Sequence, residues 1–177
     1  MIRKIYTFPD DVLRKKALPV ENIDVDISEL LNDMTETMYN QKGVGLAAPQ
    51  VGVSLRVVVI DTSAGEQPDT LLHLINPEII ASEGEQTGEE GCLSIPGEYE
   101  PVRRYNKVTV KALNTAGEEI EFDAEGFLAR AVQHELDHLE GVLFIDRIPP
   151  YKRDIVKKHI KRRIADGDYG TVQDVKS

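Results

Sequence analysis

The chain has 177 residues, 41% hydrophobic and 29% charged, a composition typical of one soluble globular domain. It has no apolar run near the roughly 18 residues that a membrane span requires, and its N-terminus lacks a signal-peptide core, so we expect a cytoplasmic protein without a membrane partner. The formal net charge of −10 argues against general affinity for nucleic acid, DNA included.

The first part of the chain predicts helical structure. Residues 10–16 fit a short helix, and residues 26–42 fit a longer amphipathic helix for which Gly43 is a plausible C-cap. The apolar side chains of the longer segment recur at helical spacing and define its buried face: Ile27, Leu30, Leu31, Met34 and Met38.

The pattern then changes to that of strands. Residues 55–61 are rich in β-branched side chains and predict a strand, whereas residues 62–69 have the polar composition of a surface loop. A second strand is expected at 71–75, and Asn76-Pro77 would close it.

The second half of the chain predicts a hairpin and two helices. Residues 108–113 and 119–122 are joined by a turn, which indicates a β-hairpin. A helix is expected over 124–140, with Asp123 as N-cap and Gly141 at its end. Strands that cluster between helices without regular alternation predict an α+β fold, with antiparallel strands and hairpins packed around the 124–140 helix.

A basic C-terminal helix is predicted at about 151–165, after the Pro149-Pro150 break. It contains seven Lys/Arg and one Asp, a net charge of +6, against −16 for the remaining chain. We expect residues 1–165 to form a single catalytic domain that includes this helix, and residues 166–177 to form a flexible tail.

Cys92 is the only cysteine, so the chain forms no internal disulfide. A lone cysteine in an intracellular protein is a buried small hydrophobe, a nucleophile or a metal ligand. Without further context the buried hydrophobe is the favoured interpretation.

The strongest chemical signal is His134-Glu135-Leu136-Asp137-His138. Residues four apart on a helix differ by about 40° in direction and about 6 Å in height, so both imidazoles can reach one ion. Glu135 lies beside them, where it would contact a water molecule rather than the metal. The alternative is a pair of surface histidines, which the neighbouring apolar positions disfavour.

A helix of this kind supplies two ligands, and a third must come from elsewhere in the chain. Glu140 is too close on the same helix, and His159 lies in the basic segment. Cys92 follows Gly91, which permits close backbone approach. Two imidazoles and a thiolate leave a fourth position open, which is typical of a catalytic site. We therefore predict Cys92, His134 and His138 as the ligands of one metal ion.

At this point the chain resembles the peptide deformylase family. Three segments match the motifs of that family, in the same order: 43–50 (GVGLAAPQ), 90–94 (EGCLS) and 133–138 (QHELDH). The similarity extends from the N-terminus to about Arg163. The resemblance implies a hydrolase that removes the formyl group from the N-terminal formyl-methionine of newly synthesised proteins and releases formate. The residues alone indicate only hydrolysis of an amide-like bond.

The resemblance also implies individual roles. Glu135 would carry the proton from water to the leaving amine, and the Gln50 side-chain amide and the backbone N–H of Leu93 would stabilise negative charge on the formyl oxygen. Without the resemblance, Gln50 would be assigned to local loop structure. The ligand spacing alone favours zinc, whereas the resemblance implies Fe²⁺ as the native ion, with Zn²⁺ or Ni²⁺ as substitutes.

Helical spacing places Phe127 and Ala131 on the same stripe as the two histidines. Together with Val44 they could form an apolar pocket for the methionine side chain. The alternative is ordinary core packing, and for Phe127 the two interpretations are compatible. Gly43 and Gly45 would allow an extended substrate to pair with their loop as an added strand.

Glu90 and Gly91, which precede the cysteine, are the remaining substrate-site candidates. Glu90 would line the entrance or support the motif by hydrogen bonds. Arg103 and Arg104 could meet the substrate backbone, but we assign both to an exposed loop face.

Three alternatives remain at this stage. A zinc peptidase could use the same His-Glu-x-x-His helix, but it usually takes a downstream third ligand. A structural metal domain would leave Glu135 unexplained. A ribosome- or RNA-binding module rests on the basic helix alone and could coexist with the enzyme, because its Lys/Arg side chains could neutralise several phosphates. The resemblance to bacterial deformylases suggests ribosome docking through this helix, and a solvated basic face is the equally weighted alternative.

Overall fold

The computed structural model describes residues 1–170 and has the α+β architecture predicted from the sequence. A five-stranded antiparallel sheet has the order β1-β2-β3-β6-β7, and β4 and β5 form a separate two-stranded sheet. The strands are β1 Gly45–Ala47, β2 Val57–Ile60, β3 Leu72–Glu83, β4 Gln86–Cys92, β5 Ile95–Arg104, β6 Lys107–Leu113 and β7 Glu119–Glu125. The α-helices are α1 Val25–Asn40, α2 Phe127–Leu139 and α3 Pro150–Asp166, and short 3-10 helices span Asp11–Arg14, Ala48–Val51 and Phe144–Arg147. None of the helices in residues 1–170 has the length and apolar character needed to cross a bilayer.

Helix α1 begins where its N-cap, Asp24, accepts a hydrogen bond from the backbone N–H of Ile27. The predicted apolar face is buried and packs into a core cluster with residues of β1, β2 and β3. The helix ends two residues earlier than expected, and Lys42 rather than Gly43 adopts the left-handed conformation, with φ 56°. Gly43 is therefore not the C-cap, and its backbone N–H donates to the carbonyl of Met38.

Strand β3 does not close at Asn76-Pro77 as predicted. The chain continues in extended structure to Glu83, and the pairing with β6 shifts register between Ile75 and Glu78. Asn76 adopts a left-handed φ of 51° at this irregularity, and its side chain bonds the backbone of Val20. A β-bulge thus accommodates the proline that the sequence alone indicates as a strand end.

Helix α2 begins later than predicted. Ala124 belongs to β7, where it pairs with Val108, and Gly126 turns the chain with φ 63° before Phe127 starts the helix. Asp123 is consequently not an N-cap. The helix packs against the five-stranded sheet, so most of its side chains are buried.

The β4–β5 hairpin is absent from the sequence-based prediction, although it carries Cys92 at the end of β4. The assignment of Arg104 to an exposed loop is also wrong, because Arg104 ends β5 and is buried between Glu90 and Asp137. Arg103 is exposed, as expected, but it also lies in β5.

Helix α3 follows Pro149 and packs against the 3-10 helix Phe144–Arg147. Val156 and Ile160 are buried with Ile95 and Phe144 in a core cluster that is separate from the one containing the apolar face of α1. Tyr169 packs against the same cluster. The greater part of the predicted tail, residues 171–177, lies outside the described residues.

Candidate metal centre

Cys92 meets the two histidines of α2 at one point. The potential ligand atoms of Cys92, His134 and His138 lie within 4.8 Å of one another. The Cys92 Sγ is 3.4 Å from Nε2 of His138. The β4–β5 hairpin supplies the thiol, and helical spacing supplies the imidazoles. This is the only cluster of three potential metal-binding side chains within residues 1–170.

Hydrogen bonding fixes the ring of His134. Its Nδ1 lies 2.9 Å from Oε1 of Glu90, which directs Nε2 toward the cluster. Burial alone would lower the pKa of His134, but the charge of Glu135 and hydrogen bonds with Cys92 and Glu90 raise it well above its usual value. The groups that favour a positive imidazole also favour a cation at the centre.

His138 is a neutral imidazole in this environment. Burial lowers its pKa well below the usual value, and the charges of His134 and Arg104 add to that effect. Its buried Nδ1 has no hydrogen-bond partner in the structure. Two imidazoles and one thiol therefore converge, and this donor set suits Fe²⁺, Zn²⁺ and Ni²⁺.

Glu90 is buried beneath the cluster rather than at the cavity entrance. Its carboxylate accepts two hydrogen bonds from Arg104, each 2.8 Å long, and one of 2.6 Å from Arg130. Burial would raise the pKa of Glu90, but the bonds and charges of Arg104 and His134 hold it far below its usual range. Glu90 therefore remains ionised. The sequence suggested two roles for it, lining the entrance or supporting the motif by hydrogen bonds, and its contacts favour the supporting role.

Glu135 points into the site beside the predicted ligands. It is only 5% exposed, and its Oε1 is buried without a hydrogen-bond partner. Burial raises its pKa to about 7. A carboxyl group with this pKa can accept and release a proton near neutral pH, as general acid–base catalysis requires.

Gln50 lies at the end of the 3-10 helix that follows β1, and it reaches the thiol. Its Nε2 is 3.6 Å from the Cys92 Sγ and 3.1 Å from the Ser94 Oγ, while its Oε1 accepts the backbone N–H of Ala47. The bond to Ala47 assigns the two amide atoms and directs the donor end toward the site. The local backbone role and the donor role are therefore compatible.

A cavity of about 470 Å³ opens in front of these groups. All residues predicted for catalysis and substrate binding line this cavity. Of the three predicted metal ligands, Cys92 and His134 also line it, whereas His138 does not. The predicted lining residues are Gly43, Val44, Gly45, Gln50, Glu90, Gly91, Leu93, Phe127, Ala131 and Glu135. Ala131 is buried, whereas Phe127 is 55% exposed at the rim and so is not a core residue.

Five further lining residues were not predicted from the sequence: Lys42, Ala64, Glu89, Tyr99 and Arg130. Arg130 stands one turn before His134, so the helical stripe could have identified it. Tyr99 lies in β5, and no local pattern points to it. The other two histidines are remote from the cluster, since His73 contacts Thr35 and His159 contacts Glu98.

The sequence profile of the polypeptide deformylase family matches residues 2–154. A peptide deformylase from Thermodesulfovibrio yellowstonii is 52% identical over 162 residues, which cover 92% of this chain and 98% of that protein. One from Acidobacterium capsulatum is 52% identical over 169 residues, which cover 96% and 99%.

Solved structures agree with the sequence comparison. The crystal structure of a peptide deformylase from Legionella pneumophila has a TM-score of 0.87 at 49% identity and covers 93% of this chain and 98% of its own. The Ehrlichia chaffeensis peptide deformylase in complex with actinonin has a TM-score of 0.84 at 35% identity, with coverage of 92% and 97%. The chain therefore belongs to the peptide deformylase family, metal-dependent hydrolases that remove the N-terminal formyl group from nascent proteins.

Proposed function

We propose that Cys92, His134 and His138 hold one divalent ion, natively Fe²⁺, and that Glu135 is the acid–base group of deformylation. The convergence of the three ligand atoms within 4.8 Å, beside a buried carboxylate without a partner, carries this proposal. Zn²⁺ and Ni²⁺ suit the same donors and are the expected substitutes. When bound, such an ion supplies Lewis acidity, which polarises a carbonyl group and acidifies water.

Glu135 takes the proton of the attacking water and delivers it to the amine that leaves. Its pKa of about 7 leaves both protonation states accessible at neutral pH. The carboxylate is 5% exposed and lines the cavity, so it can reach a water molecule and a substrate bound there.

Gln50 and the backbone N–H of Leu93 stabilise the negative charge that develops on the formyl oxygen. The Gln50 amide is held from both ends, by Ala47 and by Ser94, so its donor is already oriented before the substrate arrives. Such preorganised donors lower the barrier because they need not reorient during the reaction.

The methionine side chain enters the cavity between α2 and the loop before β1. Val44 and Ala131 form its apolar wall, and Phe127 covers the rim. Gly43 and Gly45 face the same cavity, so an extended substrate backbone can pair beside them as an added strand. Gly91 and Tyr99 line the opposite side of the cavity, and a side chain at position 91 would collide with the ring of Tyr99.

The test is formate release from formyl-Met-Ala-Ser by anaerobically purified, iron-loaded protein. We expect turnover that stops when the ion is chelated and returns when Fe²⁺ is added. Acetyl-Met-Ala-Ser is the matched control, since it differs by one methyl group and should release little acetate. Cleavage of internal peptide bonds in a blocked peptide, without formate release, would instead identify a peptidase.

A second proposal concerns α3 and the ribosome. Val156 and Ile160 attach the helix to the catalytic domain, while Lys157, Lys158 and Lys161 are exposed on its outer side. This basic surface, on an otherwise acidic protein, suits RNA phosphates near the site where nascent chains emerge.

Docking is tested by charge reversal rather than truncation, because removal of α3 would expose the core residues that pack against Val156 and Ile160. We expect Lys157→Glu/Lys158→Glu to abolish co-sedimentation with bacterial ribosomes at low salt without changing formate release from short peptides. Lys15→Glu/Lys16→Glu changes the net charge equally at another exposed site and should still co-sediment. If the unaltered protein never co-sediments at low salt, docking is excluded.

A further inference from the structure

Arg130 joins the helix that carries the two histidines to the hairpin that carries the cysteine. Its Nη1 donates to the backbone carbonyls of Gly88, in β4, and Val102, in β5, at 3.1 and 2.9 Å. The same nitrogen lies 2.6 Å from Oε2 of Glu90, and Nη2 lies 3.1 Å from Oε1 of Gln86. One side chain of α2 is thus anchored to both strands of the hairpin.

Gly88 of the hairpin leaves space for the guanidinium group of Arg130. A Cβ added at Gly88 would come within 3.1 Å of Nη2 and 3.2 Å of Cζ of Arg130, tighter than ordinary van der Waals contact. Gly88 has no left-handed φ, so backbone strain does not require glycine there. The glycine is instead explained by the close approach of Arg130.

The anchor lies next to the metal centre on both elements. Glu90 accepts Arg130 through Oε2 and faces Nδ1 of His134 through Oε1, so one carboxylate connects the anchor with a metal-binding imidazole. Cys92 follows Glu90 by two residues on the same strand. A displacement of β4 relative to α2 would therefore move the thiol and the His134 ring relative to each other.

We propose that Arg130 is a positioning residue that sets the distance and angle between the Cys92 thiol and the two imidazoles. This inference rests on the metal site proposed above. Arg130 does not act as a free cation for the substrate, because the charge of Glu90 already faces it at 2.6 Å. Arg104 bonds both carboxylate oxygens of Glu90 and also joins β5 to α2 through Asp137. The bonds from α2 to the backbone carbonyls of both hairpin strands come from Arg130.

The experiment is a Co²⁺ titration of apo-protein, followed by the thiolate-to-cobalt absorption band. Arg130→Met should weaken Co²⁺ binding by about 10- to 100-fold, the usual effect of losing a group behind a metal ligand. It should also shift the band, because the angle between thiolate and imidazoles changes. Arg130→Lys retains the charge and part of the reach, and it should restore part of the affinity.

Arg56→Met is the matched control. Arg56 also ties the C-terminal end of α2 to the large sheet, through Glu140 at 2.9 Å and the carbonyl of Pro77 at 2.8 Å, but both of these partners lie outside the hairpin that carries Cys92. It should lower the stability of the protein without changing the Co²⁺ affinity or the band. A role of Arg130 in general stability alone would make the two variants behave alike.

Gly88→Val approaches the same contact from the strand side. It should weaken Co²⁺ binding as Arg130→Met does, and the double variant should lose less than the product of the two effects, because both disrupt one contact. If Arg130→Met does not fold, Arg130→Lys and Gly88→Ala decide the matter. Unchanged affinity and band in the folded variants would overturn the inference.

The unaltered protein separates this inference from the proposed function. If it binds Co²⁺ without a thiolate band, the proposed ligand set is wrong whatever the variants do. If the unaltered protein shows the thiolate band, and Arg130→Met has the same Co²⁺ affinity and the same band, then the proposed ligand set is supported and the positioning role of Arg130 is wrong.

Discussion

The carboxylate of Glu135 lies directly against the backbone of Gly45. A Cβ added at Gly45 would come within 2.5 Å of Oε2, 2.8 Å of Cδ and 2.9 Å of Cγ of Glu135. The β1 strand therefore passes so close to α2 that only a glycine leaves room for the Glu135 carboxylate. The requirement for glycine at this position is steric rather than conformational, because Gly45 has no positive φ.

Gly45→Ala should inactivate the enzyme without unfolding it. The new methyl group would push the Glu135 carboxylate from its place, and a displacement of about 1 Å costs on the order of 10²-fold in rate. Formate release and far-UV circular dichroism on the same sample measure the effect.

Gly43→Ala is the comparison for this prediction. Its Cβ would meet the flexible end of the Leu93 side chain, at 2.9 Å, which can move aside. A smaller loss of activity is therefore expected. Equal losses in the two variants would argue against a specific contact between Gly45 and Glu135.

Glu135→Ala should abolish turnover and leave the metal in place. The proposed role of Glu135 is to carry a proton, and it contributes none of the three convergent ligand atoms, so the ion should be retained. Loss of general acid–base action lowers rates by about 10²- to 10⁴-fold. Metal content and formate release are measured together, and near-normal turnover would remove Glu135 from the mechanism.

Cys92→Ser should weaken or alter metal binding, since a hydroxyl is a far poorer ligand than a thiolate for these ions. The iron-loaded enzyme with Cys92 intact should also lose activity in air or peroxide, because ferrous ion and thiolate both oxidise. Full metal content and activity in Cys92→Ser would require another third ligand. Stability of the iron enzyme in air would contradict only the oxidation prediction.

Asp61 makes the fold sensitive to acid. Burial alone would raise its pKa, but hydrogen bonds from Thr70, Tyr39 and Ser63 lower it to about 2. The unfolded chain therefore takes up this proton first as the pH falls below about 4, and the stability that Asp61 provides is present above that pH and lost as the pH approaches 2. Urea unfolding should show this loss.

Asp61→Asn is the variant that isolates the effect. It should lower stability at pH 7 by roughly 1–3 kcal/mol, since the bonds to a charged acceptor are weakened. It should also lose less additional stability than the unaltered protein between pH 4 and pH 2. An unchanged acid dependence would show that other carboxylates are responsible.

The spacing of apolar residues in the sequence identifies those helices and strands that bury only one face. The apolar stripe of α1 and the alternation of β6 are visible in the sequence because each element has one face in the core. The His-Glu-x-x-His spacing is equally visible, since the helix itself brings the ligands together. The third ligand could be inferred only by elimination and by family resemblance.

The β4–β5 hairpin could not be predicted because its signals are tertiary. In β4 the sequence is polar and glycine-rich, and only Glu90 is fully buried, so neither alternation nor β-propensity indicates a strand. Arg104 looks like a surface residue, yet it is buried because two carboxylates from distant parts of the chain surround it. The start of α2 was misplaced because Ala124 favours helices by itself, whereas pairing with Val108 keeps it in β7.

X-ray absorption spectroscopy of the zinc-loaded protein tests the proposed centre most directly. One zinc per chain should be coordinated by one sulfur at about 2.3 Å and two imidazole nitrogens at about 2.0–2.1 Å, with a fourth, lighter ligand from solvent. Cys92→Ser should lose the sulfur shell, and Glu135→Ala should keep it. A spectrum of the unaltered protein without a sulfur ligand would contradict the assignment of Cys92, His134 and His138 as the ligands. An oxygen ligand that is present in the unaltered protein and lost in Glu135→Ala would contradict the assignment of Glu135 as the proton carrier.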